Sequence, residues 1–160
     1  GQVDVVPGWL TNTPAMKPLG ADRVDLRLWD AGVKLYALPY YATVDTLQKK
    51  GDLLAKFMRA TAKGWAYAHA NRDAAVDLLL KEMPNLNKAD ERVAIDVMLD
   101  YAFTGNTRTE GWGTMDPKIW QEQIDLYAQL GQFSKAPPKL DEVITLDVLK
   151  ATAAARAKIG

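Results

Sequence analysis

The sequence contains no cysteine and only one histidine among its 160 residues. The absence of cysteine excludes disulfide bonds, thiolate nucleophiles and zinc–thiolate sites. No apolar run approaches the ~20 residues that a membrane-spanning helix needs. Basic and acidic residues are balanced, 20 of each, and no basic cluster stands out. Because nucleic acids and anionic membranes are bound by concentrated positive charge, the sequence predicts neither as a partner.

Catalytic residues are equally scarce. His69 lies near the end of a predicted helix, where the helix dipole favours a structural histidine. Ser134, the single serine, adjoins the Pro137-Pro138 spacer and makes a poor nucleophile candidate. Asp96 and Asp100 share a helix face, and we interpret them as part of a solvated acidic face rather than a metal site. The sequence predicts no catalytic residue, no metal and no cofactor.

Hydrophobic residues make up 48% of the chain, enough for a folded core. Residues 1–44 are rich in Gly and Pro, and apolar runs or alternation predict short strands at 3–6, 24–28 and 33–44. Asp30-Ala31-Gly32 predicts a turn. Asn12-Thr13-Pro14 predicts the start of a short helix that ends before Pro18 or at Gly20.

From Asp45 onward the apolar period predicts helices. One is expected to be capped by Asp52, others to cover residues 74–83 and 88–103, and another to start at Asp116-Pro117 and stop at Gly131. Trp65 and Trp120 lie on apolar helix faces and are predicted core residues. Trp29 is expected to pack under the turn at 30–32. Trp112 lies in a Gly-rich loop at 104–114, and we favour packing between helices over a lid.

Three short strands are too few for a sheet of ordinary size. Parallel strands also need neighbouring strands and covered faces. We therefore expect the sheet partners to lie upstream of Gly1 or in another chain. No signal-peptide pattern opens the sequence, and residues 1–6 have the composition of a folded interior, which predicts a mature or truncated chain.

Several stretches, in order, resemble one family of periplasmic binding proteins. They are Gly1-Gln2-Val3-Asp4-Val5 followed by Trp9, "DLLAKFMRATAKG" at 52–64, Asn71 to Leu80, and Gly113 to Gly131 with "LDEVI" at 140–144. The family serves importers of thiamine pyrimidine precursors, alkanesulfonates, taurine and riboflavin. Arg72 stands where the family usually has proline. The order and spacing of the stretches carry the resemblance, which maps to the second half of such a protein.

The resemblance implies a helix-rich α/β fold: the carboxy-terminal portion of a two-lobed (type II) periplasmic binding protein. Residues 1–38 would end the second lobe. Residues 39–160 would provide the crossover, at Pro39 to Thr43, and the helices that complete the first lobe. The implied partners are a small ligand, the membrane subunits of an ABC importer and the amino-terminal half of the same protein. The implied location is the periplasm, or outside a Gram-positive cell on a lipid anchor.

Five residues are candidate ligand contacts. Trp9 follows a predicted strand, at the strand end where open α/β sheets bind ligands, and its ring could stack on a flat ligand. Thr11 and Asn12 offer hydrogen-bonding groups beside it. Tyr40 and Tyr41 point to opposite faces of an extended stretch, so one could line the cleft while the other packs inward. The residues alone leave structural roles for Trp9 and Asn12 equally open.

The predicted function is capture of a small flat or anionic ligand, such as a pyrimidine, flavin or sulfonate, by cleft closure. The ligand would be delivered to an ATP-driven importer without being transformed. One alternative is an enzyme of pyrimidine biosynthesis on the same scaffold, which would need reactive groups in the cleft. Another is a helical interaction domain with no small ligand.

Overall fold

The computed structural model describes residues 3–159, without the side chain of Thr13. Helix makes up 56% of the chain, and no residue between 3 and 159 is in a β-strand. The α-helices are α1 (Thr13–Met16), α2 (Val44–Lys49), α3 (Gly51–Ala70), α4 (Arg72–Glu82), α5 (Lys88–Ala102), α6 (Asn106–Glu110), α7 (Pro117–Gln129), α8 (Leu140–Val143) and α9 (Asp147–Ala151). Two 3₁₀ turns, Lys17–Leu19 and Ala153–Ala155, extend α1 and α9.

Capping residues define several of these helices. Asn87 accepts a hydrogen bond from the Asp90 amide at the start of α5, and Asp116 accepts one from the Lys118 amide at the start of α7, where Pro117 takes the first position. Side-chain oxygens at this position satisfy amides that have no partner inside the helix. These helix starts confirm the sequence prediction. The predicted cap of α3 is wrong: Asp52 lies inside the first turn and Lys50 is the flanking residue.

The core lies where α3, α5 and the loop after α6 meet. Ala62 of α3 and Leu99 of α5 are almost fully buried, and Phe103 and Trp112 join them. Trp65 of α3 stacks on Trp112 with ring centroids 5.8 Å apart. Trp112 therefore packs between helices, as predicted, although the loop predicted around it contains the short helix α6.

The strands predicted at 3–6, 24–28 and 33–44 are absent from the described part of the chain. Instead, most of their apolar side chains are exposed: Val5 is 79% exposed, Val24 79% and Leu26 86%. A strand exists only as part of a hydrogen-bonded ladder, and these segments find no ladder partner among residues 3–159. Residues 1 and 2, which open the stretch containing the first predicted strand, lie outside the described residues.

The short helix and the turn in the same region are confirmed. The 3₁₀ turn after α1 ends at Gly20, whose φ of 77° is left-handed. The turn at 30–32 closes through a hydrogen bond from the Val33 amide to the Leu28 carbonyl at 2.9 Å. Trp29, however, does not pack under this turn. It is 48% exposed, with the Lys34 ammonium 5.9 Å from its ring centroid.

The surface of the whole chain is large for its mass. It measures 11731 Å², whereas a compact monomer of 17.7 kDa exposes about 7,900 Å². None of the described side chains of residues 3–43 is buried. The helical part thus has its own core, while the amino-terminal segment presents apolar side chains that a folded protein normally covers.

Candidate ligand-binding surface

Trp9 lies in a turn that a backbone hydrogen bond closes. The Asn12 amide donates to the Trp9 carbonyl at 2.9 Å, and α1 begins directly afterwards. The methyl group of Met16 lies where a Cβ on Gly8 would be, so α1 packs back onto the residue before Trp9. The indole itself is 63% exposed. An exposed aromatic ring on a backbone that is fixed by a hydrogen bond is suited to stacking on the flat face of a ligand.

Tyr40 and Tyr41 have different surroundings. The Tyr40 ring meets Phe57 edge-on at 5.5 Å and Trp112 at 6.2 Å between centroids. Tyr41 is 97% exposed. Tyr40 therefore attaches the segment to the helical core, and Tyr41 points away from it.

The five candidate residues form two groups. Trp9, Thr11 and Asn12 lie in one turn, and Tyr40 and Tyr41 lie beside α3. Among the described residues, no hydrogen bond or ring contact joins the two groups. Two open surface depressions, at residues 48–56 and at Glu110 with 153–158, are lined by none of the five.

The chain bends between the two groups, at Leu38. Its φ of 53° makes it the one described non-glycine residue in the left-handed region. Two aromatic anchors flank the bend. On one side Tyr36 stacks on Trp120 of α7, with centroids 5.8 Å apart, and its hydroxyl accepts from the Asp116 amide at 2.7 Å. On the other side is Tyr40. The boundary predicted between residues 1–38 and 39–160 falls directly after Leu38 and stays a prediction.

Arg156 is a residue that the sequence interpretation missed. Its side chain is buried, and it donates to the carbonyls of Gly111 and Trp112, at 3.1 and 2.9 Å, and to the Thr114 hydroxyl at 2.8 Å. Burial lowers the pKa of its guanidinium, and the Glu110 carboxylate partly opposes this. The sequence signal for a buried role was a single arginine within the Ala-rich stretch at 151–157. Its contacts are to loop acceptors, so its role is to hold Trp112 in the core.

The other titratable candidates also take part in packing. His69 meets the edge of Phe103 at 5.1 Å between centroids, which accounts for it structurally. Asp96 pairs with Arg92 and Arg72, so the acidic face is bridged to α4 and is less solvated than predicted. These arginines, Arg92 first, lower the pKa of Asp96. No group of acidic or histidine side chains in the described part of the chain is arranged to hold a metal ion.

None of the helices that the structure describes combines the length and apolarity required to cross a bilayer. No curated protein and no solved structure gave a match. Residues 1–75 match the family model described as NMT1/THI5 like. That family comprises periplasmic solute-binding proteins of importers for thiamine precursors and sulfonates, and the matched range contains all five candidate residues. The resemblance seen in the sequence is thereby confirmed for residues 1–75, and it is the NMT1/THI5-like family that this part of the chain matches.

Proposed function

We propose that the chain is a ligand-capturing portion of the substrate-binding component of an ABC importer. The observation that carries the proposal is the family match over residues 1–75, the range that holds the exposed Trp9 and Tyr41. In this assignment the ligand is small and flat or anionic, of the pyrimidine, flavin or sulfonate type. It is bound and released without chemical change.

The proposed fold is the carboxy-terminal portion of a two-lobed α/β binding protein. The exposed apolar side chains of residues 3–43 support this, because in such a fold they would be covered by neighbouring strands. The amino-terminal half of the protein would supply those strands. The bend at Leu38 would mark the passage from the second lobe to the crossover at residues 39–43.

In the proposed site, Trp9 stacks on the flat face of the ligand, and Thr11 and Asn12 provide hydrogen bonds at its rim. Tyr41 lines the crossover side. Tyr40 is assigned to packing, since it already contacts Phe57 and Trp112. Ligand contacts from both sides of the bend would favour the closed arrangement of the lobes, which the importer would recognise.

Binding without catalysis is the better supported alternative. The family consists generally of binding proteins, although it also includes a pyrimidine synthase. An enzyme on this scaffold needs a reactive side chain beside the ligand. The single histidine instead packs on Phe103, outside the proposed site.

The test is a thermal-shift screen of the chain against aminopyrimidine phosphates, flavins and alkanesulfonates, followed by calorimetry on the compounds that raise the melting temperature. We expect Trp9→Ala and Tyr41→Ala each to weaken binding about tenfold or more, as loss of a stacked or enclosing aromatic does. Trp29→Ala, at an exposed tryptophan outside the site, is the matched control and should leave affinity unchanged. Unaltered affinity in both test variants would refute the site.

A further inference from the structure

Helix α3 has a second apolar side, opposite the side that packs into the core. Met58 and Ala62 are buried and belong to the core. The 3.6-residue period places five apolar or small residues on the other side of the helix, all of them exposed: Leu53, Phe57, Ala60, Gly64 and Tyr67. The three large side chains among them are 48–59% exposed. A helix that is apolar on opposite sides is normally covered on both.

The spacing on this outward side of α3 is that of a helix–helix seam. The five residues follow one another at intervals of four, three, four and three positions. This is the heptad pattern of a coiled coil, with Phe57 and Gly64 at positions a and the other three at positions d. The five positions span about 21 Å along the axis. The pattern indicates that the element covering this side is another helix that runs along α3.

Gly64 gives independent support for a close neighbour. It lies inside the 20-residue α3, where glycine destabilises a helix relative to alanine. Its φ is not left-handed, and a Cβ added to it would meet no other side chain or element within 4 Å in the described part of the chain. The fold of the chain itself therefore does not require glycine here. A glycine on the outward side allows the backbone of a second helix to approach closely.

The charges beside the seam indicate what kind of helix fits. Lys56 and Lys63 occupy the two g positions and are exposed. Neither forms an ion pair with a carboxylate in the described part of the chain. The e positions on the other flank carry no charge: Leu54, Thr61 and Ala68. Because charges at e and g select the partner of a coiled coil, a helix with carboxylates opposite the two lysines is favoured.

A second copy of α3 does not supply those carboxylates. In an antiparallel pair, g positions face g positions, so the lysines of one copy would meet the lysines of the other. In a parallel pair, Lys56 would face Thr61 and Lys63 would face Ala68, and neither lysine would gain a partner. We propose that the outward side of α3 binds an amphipathic helix of a partner protein, which carries carboxylates beside its apolar stripe. This goes beyond ligand capture and does not depend on it.

The test uses two synthetic helical peptides of equal length with the same leucine residues at positions a and d. One peptide has glutamate at all e and g positions, and the other has lysine there. Fluorescence anisotropy of the labelled peptides measures binding to the 160-residue chain. The glutamate peptide binds at least ~10-fold more tightly than the lysine peptide. Because the selecting charges are exposed, added salt reduces this difference.

Two variants of the chain separate docking from folding. Gly64→Leu fills the point of close approach and lowers affinity for the glutamate peptide ~10-fold or more, while it favours the helix itself because leucine is a better helix former than glycine. Lys56→Glu/Lys63→Glu reverses the preference, so that the lysine peptide binds more tightly. Lys81→Glu/Lys135→Glu changes the net charge equally at two exposed lysines away from α3 and, as the matched control, keeps the wild-type preference.

Four outcomes overturn the docking site: no binding of either peptide, equal binding of both, a Gly64→Leu variant with unchanged affinity, or a control variant that also reverses the preference. A wild-type dimer in sedimentation equilibrium that Gly64→Leu abolishes would assign this side to a second copy and would equally overturn it. A chain that binds the glutamate peptide and none of the screened small compounds supports the docking site and counts only against ligand capture.

Discussion

The guanidinium of Arg156 donates to the carbonyl of Trp112 at 2.9 Å, which fastens the end of the chain to the loop that carries a core tryptophan. The attachment is reinforced by backbone hydrogen bonds from Trp112 to Ala157 and from Ile159 to Arg108, both at 3.0 Å. Residues 156–159 therefore fix the segment 108–112 by hydrogen bonds and so stabilise the core of the helical part.

We expect Arg156→Ala to lower the free energy of unfolding by ~3 kcal/mol, because the Trp112 carbonyl loses its donor and the Gly111 carbonyl and the Thr114 hydroxyl each lose one of their hydrogen bonds. Urea denaturation followed by far-UV circular dichroism measures the change. Arg108→Ala is the control, because its exposed side chain makes only a 3.5 Å contact to the Ile159 carbonyl, and it should cost less than ~0.5 kcal/mol. Equal losses in the two variants would contradict the stabilising role of Arg156.

Trp112→Ala should destabilise the chain by ~3–5 kcal/mol, as truncation of a buried aromatic does. The reason is that Trp112 fills the space beside Trp65 in the core. Calorimetric unfolding measures the loss, and Trp29→Ala, at a half-exposed ring, provides the comparison. A stable Trp112→Ala variant with impaired ligand binding would instead identify Trp112 as a lid.

Tyr36→Phe should remove about 1 kcal/mol of stability, since the Asp116 amide at the start of α7 loses its acceptor while the ring stacking on Trp120 remains. Hydrogen exchange should show faster exchange at Asp116. Tyr41→Phe removes a hydroxyl from a ring that is 97% exposed and should leave both quantities unchanged. Slow exchange at Asp116 in the Tyr36 variant would show that this hydrogen bond does not anchor the segment.

The stability of the chain should fall in acid partly through Asp96. Its pKa is lowered from an ordinary value of 3.8, first by Arg92 and then by Arg72. A carboxyl with a lowered folded-state pKa stabilises the fold above its unfolded pKa, and this contribution disappears as pH falls through the folded value. The wild-type chain should therefore be more stable than Asp96→Asn at pH 7, and the difference should shrink as the pH falls through the lowered folded-state pKa of Asp96.

Urea midpoints from neutral pH into the acid range below the ordinary carboxyl pKa provide the measurement, because the contribution of Asp96 is lost as the carboxylate becomes protonated. Asp125→Asn is a suitable control, because that carboxylate accepts from the Gln121 amide group and has no basic partner in the described part of the chain. A gap between wild type and Asp96→Asn that stays constant over the whole range would show that the ion pairs with Arg92 and Arg72 do not stabilise the fold.

The helices were predictable because their determinants are local. Asn12 to Pro14, Asp116-Pro117 and Gly131 define helix ends through neighbouring atoms, and the 3.6-residue period of α3 and α5 gives their buried faces. The strands were not predictable in the same way. Apolar alternation at Val24 to Leu28 specifies the side chains of a strand, but its hydrogen bonds depend on a second segment.

The candidate site was predicted only to the level of residues. Sequence placed two tyrosines on opposite faces, and it took the contacts of Tyr40 with Phe57 and Trp112 to assign one of them to packing. Arg156 was missed because its acceptors are backbone carbonyls more than 40 residues away, and a carbonyl has no sequence pattern. The assignment of Trp9 to ligand contact remains a prediction.

Leu38 is a point of backbone strain between the amino-terminal segment and the helices. A leucine in the left-handed region carries a conformational penalty of about 1–2 kcal/mol, and its side chain is 84% exposed, so the residue's own contacts offset little of it. The ring contacts of Tyr36 with Trp120 and of Tyr40 with Phe57 hold the chain on either side of this residue. Loss of either ring contact would let the backbone at Leu38 relax toward an ordinary conformation. The bend therefore depends on both aromatic anchors together.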